Sequence, residues 1–142
     1  MSLRTKISGV RESNWLIEEL PGLSQDEIDN LKNCGVTSTL ALIEQGKNLE
    51  EKLILAKKLQ VNVQFVNKCI ALADLARIPG VGIQHCGLLL HAGVASVMQL
   101  LTTPAHRLHR QILRLQVATL QRRDLCPPVE QVQQWIQEAK NL

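Results

Sequence analysis

The stretch RIPGVGIQHCGLLLHAG, residues 77–93, joins a Pro-Gly-x-Gly turn to an apolar run that ends near another glycine. Glycines placed this closely before a helix let backbone amides approach a phosphate. The same glycines also permit a tight turn between two packed helices. The residues alone leave both interpretations of the turn open.

The pattern occurs a second time, earlier in the chain. LPGLSQDEIDNLKNCGVTSTLALI begins at Leu20 and IPGVGIQHCGLLLHAGVASVMQLL begins at Ile78, so that Pro21 corresponds to Pro79 and Gly35 to Gly93. A later block also corresponds, at a longer spacing: Val63, Val66, Ile70 and Ala73 match Val129, Val132, Ile136 and Ala139. Both sets follow i, i+3, i+7, i+10, the apolar stripe of an amphipathic helix. The sequence therefore predicts an internal repeat.

Capping signals favour an all-α fold of roughly nine short helices in two similar halves. Ser24 with Glu27 has the spacing of a capping box, and Asn48 and Asn62 are residue types that begin helices. Thr103-Pro104 predicts that Pro104 is the first residue of a further helix.

Composition sets limits on function. The chain has 142 residues, of which 45% are hydrophobic and 20% charged, so it can bury an aliphatic core. With two Trp, one Phe and no Tyr, it lacks the aromatic residues on which single-stranded nucleic acids stack. Four cysteines lie within apolar helical patterns, which is typical of a reducing compartment. Since no signal peptide or membrane span is evident, we expect a soluble, cytoplasmic protein.

Charge is unevenly distributed along the chain. Residues 1–75 hold 9 Lys and Arg against 10 Asp and Glu, whereas residues 76–142 hold 7 against 3. A polyanion should therefore bind the C-terminal half. Within that half, one helix from 104 to 123 would place basic residues on one face and apolar residues on another. The basic set is Arg107, Arg110, Arg114 and Arg122, and the apolar set is Ile112, Leu115 and Leu120.

Each copy reads apolar-Pro-Gly-apolar, a helix, a glycine and a second short helix, and the tandem resembles the helix-hairpin-helix motif. Over residues 15–140 the chain also resembles an uncharacterised domain family built from this motif and common in cyanobacteria. We expect a flexible tail over 1–12, followed by a first helix-hairpin-helix repeat over 13–77 and a second over 78–142, packed as one compact domain. The resemblance implies that turn amides contact duplex DNA without reading its sequence. The residues that would do so are Gly80, Val81, Gly82, Ile83 and Gln84.

The first hairpin departs from this pattern. Ser24 stands where the second copy has a turn glycine, and Asp26 and Glu27 fall in the first helical turn. These carboxylates satisfy the helix N-terminus and would repel phosphate. We therefore expect the first hairpin to be structural.

The sequence gives weaker support to metal binding or catalysis by its His and Cys residues. His106 and His109 are three residues apart, and His85, Cys86 and His91 lie on a neighbouring helix, but no CxxC or HExxH spacing occurs. This spacing gives no reason to expect a metal, and no cofactor is expected. No enzymatic activity is expected either, because Cys86 falls on the apolar side of its helix and the basic half has no paired carboxylates. Trp15 and Trp135 are each expected in an amphipathic helix, either packed in the core or exposed at an interface.

The leading hypothesis is a non-catalytic protein that binds duplex DNA, or RNA, through the second hairpin and the basic helix. The alternative is a protein–protein adaptor or assembly scaffold in which the hairpins are purely structural. A solvated face remains a third interpretation of the arginines, as does an acidic protein or membrane surface. The sequence does not indicate the oligomeric state.

Overall fold

Helices account for all the regular elements in the described residues, 12–120 and 126–142, of the computed structural model. A short 3-10 turn at Ile17–Glu19 precedes eight α-helices. These are α1 (Gln25–Asn33), α2 (Thr39–Gln45), α3 (Leu49–Leu59), α4 (Val63–Ala76), α5 (Gly82–His91), α6 (Val97–Leu101), α7 (Ala105–Leu120) and α8 (Val129–Lys140). The predicted all-α class is confirmed.

Several helices begin where the sequence supplies a capping side chain. Ser24 Oγ accepts the Glu27 amide at 3.1 Å while Glu27 Oε1 accepts the Ser24 amide at 2.8 Å, as the capping box predicts. The side-chain oxygens of Asn48 and Asn62 accept amides of α3 and α4, each at 2.8 Å. These three predicted helix starts are confirmed.

The start of α7 differs by one residue from the prediction. Pro104 precedes the first helical residue, and its carbonyl accepts the Leu108 amide at 3.0 Å. Pro104 therefore takes the N-cap position, where its missing N–H costs no helical hydrogen bond.

One aliphatic core runs through both halves of the chain. Helix α4 packs against α2, α3 and α5, and α8 packs against α6 and α7. The largest fully buried side chain is Trp135, surrounded by a core that is mainly Leu, Ile and Val. Because α4 contacts α2 and α3 of the first half and α5 of the second, the two halves share a core.

Trp15 lies in an extended segment, so its predicted placement in an amphipathic helix is wrong. Its amide donates to Thr39 Oγ1 at 3.0 Å and its carbonyl accepts the Thr39 amide at 2.8 Å, beside an isolated antiparallel bridge between Leu16 and Ser38. Its indole Nε1 donates to the Ala76 carbonyl at 2.9 Å. Pairing with residues 37–39 satisfies this backbone without a helix.

The predicted tail lies outside the described residues except for its last member. Glu12 pairs with Arg77 at 3.7 Å, and the next residue, Ser13, donates its amide to the Arg77 carbonyl at 2.8 Å. Arg77 also binds Asp74, with Nε 2.8 Å from Oδ1. From residue 12 onward the chain is therefore tied to the end of α4.

Candidate functional site

The turn that begins at Gly80 is closed by side chains of α8. The Gly80 amide donates to Glu138 Oε1 at 2.7 Å, and Trp135 Nε1 donates to the Gly80 carbonyl at 3.0 Å. A Cβ built at Gly80 would lie 2.6 Å from Glu138 Oε1 and 3.1 Å from Trp135 Cδ1. A carboxylate of the chain itself thus occupies the position that a phosphate oxygen would take on this amide.

Val81 and Gly82, the next two residues of the turn, are buried. Both of their amides donate to the Ile78 carbonyl, at 3.0 and 2.9 Å. Gly82 has φ +53°, a region that L side chains rarely adopt, and a Cβ there would lie 3.0 Å from Cζ2 of Trp15. Glycine is required at this position because the indole ring of Trp15, from the same chain, lies directly against it.

Ile83 and Gln84 form the first turn of α5. Ile83 is half-buried and Gln84 is exposed. Helix α5 begins without a side-chain cap, and its first turn contains no acidic residue. Its N-terminus therefore differs from that of α1, which carries its own capping box.

Three of the four predicted arginines lie together on one exposed face. Helix α7 is continuous over Ala105–Leu120, and Arg107, Arg110 and Arg114 are exposed opposite the buried Leu108 and Ile112. Within residues 12–120 and 126–142, no carboxylate oxygen lies within 4.0 Å of these guanidinium groups. Arg122, the fourth, lies outside the described residues.

The structure places Arg107 at the end of α5 opposite the turn. Arg107 lines a cleft of about 260 Å³ with Gly93 and Gln111, beyond the C-terminal end of α5. The turn at Gly80 precedes the N-terminal end of the same ten-residue helix. At 1.5 Å of rise per residue, the two ends of α5 are separated by about 15 Å.

An apolar surface beside the arginines was not predicted from the sequence. Leu113, Val117 and Ala118 line a largely apolar cleft of about 490 Å³ together with Arg114. The spacing of Leu113 and Val117, i and i+4 on the polar side of α7, is the signal that could have indicated it. The exposed face of α7 therefore combines positive charge with apolar contact area.

The four cysteines are buried or half-buried, whereas His106 is exposed on α7, one helical turn before Arg110. Burial raises the pKa of the Cys86 thiol to about 11, so this group stays protonated at neutral pH. Burial also lowers the pKa of His85, whose ring centroid lies 5.1 Å from that of Trp135. Cys126 Sγ lies 3.8 Å from His109 Nε2.

The described residues contain no group of three or more His, Cys, Asp or Glu side chains that could hold a metal ion. No helix in this part of the chain has both the length and the apolar character needed to span a bilayer.

The chain matches a known protein-family model. The family model described as "Domain of unknown function (DUF4332)" matches residues 21–142, which is most of the chain. No curated protein and no solved structure matches the chain.

Proposed function

The chain belongs to this family, DUF4332, whose function is unknown, and we propose that it is a non-catalytic protein-binding adaptor whose hairpins are structural. The exposed face of α7 is its binding surface. The observation that carries the proposal is the hydrogen bond of 2.7 Å between the Gly80 amide and Glu138. A phosphate at this turn would have to displace a carboxylate that is already bound.

The tandem helix-hairpin-helix organisation is part of the same proposal, with repeats at 13–77 and 78–142. Matched hydrogen bonds support it. The Val36 amide donates to the Leu31 carbonyl and the Val94 amide to the Leu89 carbonyl, both at 2.9 Å. Gly35 and Gly93 have φ values of +86° and +100°, and Ser38 and Ser96 cap the short helices that follow.

In each half, a side chain of the fourth helix lies near the turn of that half. A Cβ at Gly22 would lie 3.8 Å from Lys68 Nζ of α4, much as Gly80 meets Trp135 and Glu138 of α8. The hairpins therefore act as the framework on which the third helix of each half, α3 or α7, is displayed.

The chemistry of α7 favours a protein partner that is acidic and partly apolar. Arg107, Arg110 and Arg114 project into solvent beside Leu113 and Val117. Arginine next to apolar contact area is typical of protein interfaces, where a partner carboxylate binds the guanidinium and an apolar side chain fills the cleft. A phosphodiester backbone would use the arginines and leave the apolar cleft empty.

A second candidate is sequence-independent binding of duplex DNA through the same helix. It is favoured by the sequence between Asp74 and Asp124, which contains no Asp or Glu. Arginines that lack an acidic neighbour are available to phosphates. In this candidate Gly80, Val81, Gly82, Ile83 and Gln84 would contact DNA only after Glu138 had left the turn.

Affinity capture from nuclease-treated extract of the source cells tests the adaptor proposal. The variant Arg107→Gln/Arg110→Gln/Arg114→Gln should lose a partner that the wild-type chain retains. The matched control, Lys47→Gln/Lys58→Gln/Lys68→Gln, removes three exposed positive charges from the first half and should keep that partner.

The same proteins titrated with a fluorescent duplex separate the two candidates. We expect no duplex binding at about 50 mM salt. Binding that falls steeply with added salt, and that only the arginine variant abolishes, would overturn the adaptor proposal in favour of DNA. Equal loss of the captured partner from both triple variants would also overturn it, because charge alone would then explain capture.

A further inference from the structure

Helix α3 presents large apolar side chains to solvent. Leu49, Leu53 and Ile54 are 65%, 50% and 46% exposed, although all three belong to one eleven-residue helix. The other side of the helix, at Leu55, Ala56 and Leu59, is buried in the core. Apolar groups concentrated in this way on an outer helix indicate an interaction surface.

Two opposite charges flank the exposed pair Leu53 and Ile54, one lying three residues before the pair and the other three residues after it. Glu50, Leu53, Ile54 and Lys57 follow i, i+3, i+4, i+7, which places all four on one face. Glu50 and Lys57 are exposed, and within the described ranges neither lies within 4.0 Å of an opposite charge. The four residues are referred to below as the α3 face.

The order of the four residues makes the α3 face complementary to itself. If a second α3 lies antiparallel across it, with a two-fold axis between positions 53 and 54, Glu50 faces the partner's Lys57. Leu53 then faces the partner's Ile54, and the two-fold axis repeats both contacts. A parallel arrangement would instead place Glu50 against the partner's Glu50.

We propose that the α3 face binds the α3 face of a second copy of this chain, forming an antiparallel two-fold dimer. A single helix pair buries less area than a standard interface, so the dimer is weak and concentration-dependent. The arginine face of α7 takes no part in this contact.

Sedimentation equilibrium of the full chain tests the proposal over about 10 to 500 µM, a range suited to a weak dimer. The weight-average mass should rise with concentration toward twice that of one chain. Glu50→Lys and Lys57→Glu should each weaken association by about tenfold or more, since each sets like charges opposite each other at two places. An equimolar mixture of the two variants should associate like the wild type.

The double variant Glu50→Lys/Lys57→Glu decides the geometry. In the antiparallel dimer it restores both charge pairs and hence the wild-type association, whereas failure to restore it overturns the antiparallel arrangement. Leu53→Glu should abolish association. Met98→Glu is the matched control, because Met98 is 73% exposed on α6 and lies outside the α3 face.

Any of three outcomes overturns the dimer: a wild-type chain that stays monomeric throughout, equal loss with Met98→Glu and Leu53→Glu, or like-charged single variants that associate normally. Circular dichroism of each variant at the same concentrations shows whether it is folded. The arginine triple variant should dimerise normally, so failure of the adaptor proposal and failure of the dimer are distinguishable.

Discussion

The Glu138 carboxylate accepts the Gly80 amide at 2.7 Å across 58 residues of sequence, which ties the end of α8 to the turn that begins α5. Trp135, one helical turn earlier, donates to the carbonyl of the same glycine. Both backbone polar groups of Gly80 are thus satisfied by side chains of a single helix. The turn and α8 should therefore behave as one unit in unfolding experiments.

Replacing Glu138 should destabilise the protein more when the new side chain has no hydrogen-bond acceptor than when it keeps one. Glu138→Ala leaves the part-buried Gly80 amide without its partner, which we expect to lower the free energy of unfolding by about 1–3 kcal/mol. Glu138→Gln keeps an acceptor oxygen and should lose less. Urea unfolding at neutral pH measures both variants, and equal losses would contradict the assigned hydrogen bond.

Alanine substitutions at two glycines of α5 should have opposite effects. Gly82→Ala forces a side chain into left-handed backbone and against the Trp15 ring, so it should lower the free energy of unfolding by at least about 1–2 kcal/mol. Gly87→Ala is the matched control, because nothing lies within 4 Å of a Cβ at this helical position. It should raise stability by about 0.5–1 kcal/mol. Thermal melts of the two variants that shifted in the same direction would refute this assignment.

Trp15 should contribute both a hydrogen bond and packing. Trp15→Phe removes the indole donor from the Ala76 carbonyl, one of the last carbonyls of α4, and should cost about 1–3 kcal/mol of unfolding free energy. Trp15→Ala also removes the ring that covers Gly82 and should cost more, about 3–5 kcal/mol. Denaturant titration followed by circular dichroism distinguishes the two. A Phe variant as stable as the wild type would show that the donor contributes nothing.

Stability should fall in alkaline solution because of two buried thiols. Burial raises the pKa of Cys69 to about 12 and that of Cys86 to about 11, from an ordinary value of 9.0. Above that ordinary value the unfolded chain loses these protons while the folded chain keeps them. The stabilising contribution is therefore complete below pH 9.0 and is lost as pH rises through 11 and 12.

The matched variant for this effect is Cys69→Ala/Cys86→Ala. Its free energy of unfolding should decline less steeply than that of the wild type across the same alkaline range, measured by urea unfolding. Parallel declines in the two proteins would mean that other groups cause the loss.

Local features of the sequence were sufficient to predict the helices, because capping and periodicity act within a few residues. Ser24, Asn48 and Asn62 each bond an amide two or three residues away. The closure of the Gly80 turn was not predictable in this way, since neither Glu138 nor Trp15 lies near it in sequence. The same holds for Trp15, whose extended backbone depends on pairing with Thr39.

The contacts of Trp15 also constrain the order in which the chain folds during synthesis. Trp15 leaves the ribosome early, but its indole donor binds Ala76 and its ring covers Gly82. The ring cannot reach its final position until residue 82 has emerged. A nascent chain arrested before that point leaves a large apolar side chain uncovered, and it should be more accessible to proteases and chaperones than one released after α5 is complete.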